Sequence, residues 1–223
     1  MKKVLFTILL IAIAASANAV PTLSLHSANT GMGSMSYTVT GSTIEIWEDW
    51  TAAGPGFIEM RGFDGYTDYS VVKYITNNTG TDWDHFAMEL LDPIGQNNDG
   101  NDIPIEPWVP AGFSHSNNSD NLSFAQRGTT IYVPRSSNQF GTIITDEFAG
   151  HDYIDFTDGT VSGAAGTDVV SFGIWNGSVS NEPFLLSQRP NTFTGDPAIP
   201  EPMTMVLFGL GLTGMAIRRR FTK

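Results

Sequence analysis

The chain has 223 residues, only 15% of them charged, and no cysteine. That length suits one domain plus targeting segments, and the missing cysteine excludes disulfides, thiolate metal sites and a cysteine nucleophile. Between Val20 and Pro200 stand 5 basic and 22 acidic residues, a net charge of −17, which excludes nucleic acid as a partner because phosphate binding needs a basic face.

Met1-Lys2-Lys3 is a short basic start, and Val4 to Ala15 is apolar. Ala17-Asn18-Ala19 then has the small-x-small form of a cleavage site. This is the pattern of a secretory signal peptide over residues 1–19, with an apolar helix and with signal peptidase cutting after Ala19. The expected partners at this end are signal peptidase and the secretion machinery. The body spans residues 20–190. Its first stretch, Leu23 to Gly33, is small and polar and reads as a lead-in. Ser36 to Thr40 and Thr43 to Glu48 alternate in hydrophobicity around Gly41-Ser42, the pattern of a hairpin with a type II′ turn. Ile44 and Ile46 share one face. After Gly54-Pro55-Gly56, Phe57 to Arg61 resumes a strand pattern.

Tyr69 to Thr76 is β-branched and aromatic, Asn77 to Asp82 are turn formers, and Trp83 to Leu91 places Phe86, Met88 and Leu90 on one face. These read as a second hairpin. Asp92 to Asn121 is rich in proline and asparagine and predicts irregular chain with one short strand. Short strands return at Thr129 to Val133, Thr142 to Phe148, Asp152 to Thr157, Asp168 to Trp175 and Phe184 to Gln188. The pattern predicts an all-β, antiparallel β-sandwich or jelly-roll-like body. Residues 191–199 read as a linker.

Candidate chemistry is sparse. Asn97 to Asp102 is rich in oxygen ligands, but in EF-hand register the first position is Gly95, where a carboxylate is needed. Asp92, Asp99 and Asp102 remain as calcium candidates, and no other cofactor is expected. Gly209 to Gly214 spells G-x-G-x-x-G without the strand and βαβ unit of a dinucleotide site. Gly112 to Ser116 lacks the closing glycine of a nucleophile elbow. His26, His85, His115 and His151 are scattered and read as surface or half-buried structural residues. Strand alternation puts Asp84 and His85 on opposite faces. No catalytic residue is assigned, so the body reads as non-enzymatic. Of the five tryptophans, roughly one or two are expected to be exposed enough to stack on a sugar ring. Asn77, Asn117, Asn121 and Asn176 each begin an N-x-S/T sequon, read as a sign of polar loops.

The segment 200–223 is different in kind. Pro200-Glu201-Pro202 precedes an uncharged, mostly apolar run from Met203 to Ile217, and Arg218, Arg219 and Arg220 follow. As a helix those 15 residues would span about 22 Å, short of the roughly 30 Å hydrocarbon layer. They predict a short transmembrane helix whose basic stop stays cytoplasmic while the body lies outside. Motif, Gly- and Leu-rich segment and arginine cluster together resemble the C-terminal signal of the PEP-CTERM proteins. The resemblance implies recognition by an exosortase in a Gram-negative envelope, cleavage near Pro200-Glu201-Pro202 after a transient membrane stage, and delivery to the cell surface or medium. Tyr74 to Trp83, and Phe156 to Val161 with Val169 to Phe172, are similar to recurrent strand pairs in the bodies of those proteins. The reading is an exported surface or matrix protein associated with exopolysaccharide. The alternative is a polysaccharide-acting hydrolase whose carboxylates spacing does not reveal.

Overall fold

The structure is a computed structural model that describes residues 20–65, 67–95, 107–117, 120–146, 151–178 and 181–192. Outside them lie Ala17 and Ala19, the calcium candidates Asp99 and Asp102, and the glycines from 209 to 214. So do the motif Pro200, Glu201 and Pro202 and the cluster Arg218, Arg219 and Arg220. Among the described residues no helix is long and apolar enough to cross a membrane.

The described residues form strands β1 (Thr22–Leu25), β2 (Met32–Thr40), β3 (Thr43–Trp50), β4 (Gly56–Arg61), β5 (Tyr69–Asn77), β6 (Phe86–Pro93), β7 (Phe113–His115) and β8 (Leu122–Ser123). Then come β9 (Gln126–Arg127), β10 (Thr130–Ile131), β11 (Ser136–Ser137), β12 (Thr142–Asp146), β13 (Tyr153–Thr157), β14 (Gly166–Asn176) and β15 (Phe184–Pro190). Sheet A runs β1-β4-β15-β6-β13-β12, with β7 added beside β6. Sheet B runs β11-β14-β5-β3-β2, with β8 at the end of β14, and β9 and β10 form a small ribbon. The pairs are antiparallel except β3 with β5. That parallel pair arises because the chain leaves β3 for β4 in the other sheet before it returns as β5, the crossover that parallel neighbours need.

Gly41 has φ +59° and Thr40 pairs Thr43, so the two-residue turn holds the expected hairpin of β2 and β3. The second expected hairpin does not form. β5 pairs β3 and β14 in sheet B, whereas β6 pairs β15, β13 and β7 in sheet A. The turn residues between them are tied elsewhere. Buried Asn77 donates through Nδ2 to the carbonyls of Thr81 and Val161, and Gly80 N–H donates to Gly163 O. These bonds dock the turn on residues 161–163 and lead the chain from one sheet to the other. The lead-in is also a correction: Thr22–Leu25 pairs with β4 along its whole length.

The two sheets share one core. From sheet B it takes Ile44, Ile46, Trp50, Val71, Ile75, Val170, Phe172 and Ile174, and from sheet A Ile58, Met60, Phe86, Met88, Leu90, Ile154, Phe156 and Phe184. Trp50, Trp83 and Phe86 meet edge to face or stacked at 5.3–5.9 Å, the geometry aromatic quadrupoles favour.

The sheets differ on their outer sides. Sheet B is buried on one face only: β5 alternates buried and half-buried along its length. In sheet A, β6 is buried from Phe86 to Asp92 on both faces. There Phe57, Leu91 and Leu185 form a second apolar cluster with Val109 and Phe113 from the segment laid across the sheet.

Candidate functional site

The open side of sheet B is built by register. Ser36 pairs Trp47, Trp47 pairs Tyr74 and Tyr74 pairs Val169, so one row crosses four strands. The next row is Thr38, Glu45, Val72 and Ser171, and the row on the other side is Ser34, Asp49, Thr76 and Thr167. Directly paired residues point to the same face. Since Ile44, Ile46, Glu48 and Trp50 point inward, Trp47 must point out.

Trp47 keeps 39% of its surface exposed and stacks on Tyr74, with ring centroids 5.3 Å apart and planes within 9°. Tyr74 Oη donates to Glu45 Oε1 at 3.1 Å, and Asn78 Nδ2 donates to Asp49 Oδ1 at 2.6 Å. The hydrogen bond to Glu45 raises the Tyr74 phenol above its usual value, so it stays a protonated donor. The result is a groove beside the aromatic platform that Asp49 helps to line, with Glu45 in the row on the other side of the platform. Such a surface offers an apolar plate for the C–H face of a pyranose and acceptors for its hydroxyls. Trp50 and Trp83 are core, and Trp108 and Trp175 are half-buried.

Asp92, the calcium candidate within the described residues, is buried in β6 and accepts from Ser114 Oγ at 3.1 Å. That serine belongs to the elbow-like stretch and lies within β7. Asp84 and His85 do not sit on opposite faces: β6 begins only at Phe86, and His85 Nδ1 lies 2.8 Å from Asp84 Oδ1. His26 packs edge to face on Phe113 at 5.7 Å. Asn77, Asn117 and Asn176 are buried, so these three sequons mark structural asparagines and only Asn121 is exposed.

Sequence reasoning missed one convergence entirely. His115, buried at the end of β7, and His151, just before β13, both turn Nδ1 toward Glu89 in the middle of β6. The three residues are 26 and 36 positions apart, and no spacing rule links them. The available signal was a single carboxylate inside the otherwise apolar run Phe86 to Leu91.

The model of the PEP-CTERM protein-sorting motif matches residues 198–220. The match takes in Pro200-Glu201-Pro202, the apolar run and the three arginines. It implies sorting by an exosortase, with export and a membrane-anchored C-terminal signal that leads to the cell surface. No curated protein and no solved structure matches the chain.

Proposed function

We propose that this exosortase-sorted chain presents a non-enzymatic β-sandwich that binds extracellular polysaccharide through the Trp47–Tyr74 face of sheet B. The carrying observation is the exposed Trp47 stacked on Tyr74 between Glu45 and Asp49. A solvent-facing indole on the open side of a sandwich contributes nothing to the core, and its flat face suits a sugar ring. Hydrolysis fits this face less well. Glu45 and Asp49 are four residues apart on one strand, about 13 Å at roughly 3.3 Å per residue. Paired glycosidase carboxylates stand only about 5–9.5 Å apart.

The test is affinity electrophoresis of the purified full-length protein through gels containing the polysaccharide of the producing cells. Wild type should be retarded. Trp47→Ala should weaken binding about 30-fold, the loss of a central tryptophan contact. Tyr74→Phe keeps the stack and frees Glu45 Oε1, and should cost less. Migration of wild type unchanged by any polymer, or Trp47→Ala retarded as strongly as wild type, would overturn the proposal.

A further inference from the structure

We propose that Glu89, His115 and His151 form a site for one first-row divalent transition-metal ion, with Zn²⁺ the best match, on the covered side of sheet A. This is independent of the polysaccharide reading, which concerns the opposite sheet. Glu89 lies at the centre of sheet A, between Ser187 of β15 and Tyr153 of β13. β7 brings His115 over it by pairing with Leu91, two residues along β6.

One carboxylate oxygen serves both rings. His115 Nδ1 is 2.5 Å and His151 Nδ1 3.0 Å from Glu89 Oε1, and the three donor atoms all lie within 4.8 Å of one another. The rings stack at 4.0 Å with planes 21° apart. Zn²⁺ binds imidazole nitrogen and carboxylate oxygen at about 2.0–2.2 Å, which sets tetrahedral ligands about 3.3 Å apart. Each histidine nitrogen must therefore move less than about 1 Å away from Glu89 Oε1, and the two rings must turn out of their stack so that both nitrogens face one ion.

The surroundings suit a ligand set rather than a plain ion pair. Arg189 Nη2 holds the other oxygen, Glu89 Oε2, at 3.1 Å, which leaves Oε1 as a monodentate donor aimed at the histidines. Partners of this kind orient metal ligands. Trp108 lies over Arg189, with the guanidinium 3.7 Å from its ring, and meets His115 edge-on at 5.7 Å. Glu89 is fully buried and the His115 side chain is 9% exposed, while His151 keeps 42% of its side chain in solvent. His151 thus marks the path for an ion and the side where a water completes the coordination. His115 Nε2 is buried with no hydrogen-bond partner among the described residues. Asp155, on the same face by register, and Asp152 are both buried. Two imidazoles with one carboxylate favour Zn²⁺ and its neighbours over Ca²⁺ and Mg²⁺, which take oxygen shells.

Zn²⁺ titration calorimetry on metal-free full-length protein should give one site per chain, and Co²⁺ should produce visible d–d absorption of a four-coordinate ion. His151→Ala, chosen because its side chain is the most exposed of the three, should weaken Zn²⁺ binding by at least about 100-fold. It should leave the near-UV circular dichroism and the polymer retardation unchanged. A large excess of Ca²⁺ should not displace Zn²⁺. Folded wild type that gives neither Zn²⁺ heat nor a Co²⁺ band, or His151→Ala that binds Zn²⁺ as tightly as wild type, would overturn the assignment.

Discussion

Replacing Glu48 by leucine should cost about 3–5 kcal/mol of folding stability, the loss expected when one partner of a buried ion pair is removed. Glu48 and Lys73 point into the core from adjacent strands of sheet B, and both side chains are fully buried, with Lys73 Nζ 3.0 Å from Glu48 Oε1. Gln188 reaches across from sheet A, accepting from Lys73 Nζ and donating to Glu48 Oε1 at 3.1 Å. Trp50 Nε1 donates to Glu48 Oε2 at 3.1 Å. With leucine at position 48 the ammonium keeps its desolvation cost and loses its counter-charge. Pairing Glu48→Gln with Lys73→Met leaves no bare charge and retains acceptors for Trp50, so most of the loss should return. Urea midpoints of the three variants check this, and a single leucine variant as stable as wild type would show that the pair carries no charge.

The same lysine gives a pH signature. Burial pushes the Lys73 ammonium below its ordinary 10.5, and the charge of Glu48 opposes this only in part. Between that lowered value and 10.5, the unfolded chain holds a proton that the folded chain has released. The contribution of Lys73 to stability therefore rises with pH across that window and is flat below it. In Lys73→Met the rise should be missing.

The second large effect lies at the other end of the molecule. Because the sorting-motif match spans residues 198–220, Glu201→Ala should block processing almost completely. The protein would then accumulate in the membrane fraction at the mass of the form cut only by signal peptidase, and wild type in cells lacking exosortase should behave the same way. Intact-mass spectrometry of the two fractions reads the outcome directly. A Glu201→Ala protein processed and released like wild type would separate the motif from the sorting step.

Local patterns carried most of the strands, and partners across the sandwich were beyond them. Ile44 and Ile46 on one face already implied that Trp47 points the other way, so the aromatic platform was half legible. Its completion by Tyr74 depended on the parallel pairing of β3 with β5, which adjacent sequence does not encode. Asn77 to Asp82 announced a turn but not its direction. Whether such a turn makes a hairpin or a crossover depended on the bonds from Asn77 and Gly80 to a segment about eighty residues later. Thr22–Leu25 was too short to outweigh its small, polar surroundings. The Glu89, His115 and His151 cluster was illegible for the same reason as the β5–β6 pairing: sheet neighbours brought it together, not spacing. The two-sided burial of β6 was the one trace in the sequence, through Ala87 and Leu91 flanking Glu89.

The sorting motif implies delivery of the body to the cell surface, and the role proposed for Trp47 on the open face of sheet B is to hold it on polymer there. Fractionating cultures into cell, extracellular polysaccharide and soluble medium, with intact mass measured in each, tests both halves at once. Wild type should be found with the polysaccharide at its processed mass, and Trp47→Ala should reach the same mass but appear in the soluble medium. Identical distributions of the two proteins at that mass would contradict polymer binding through Trp47.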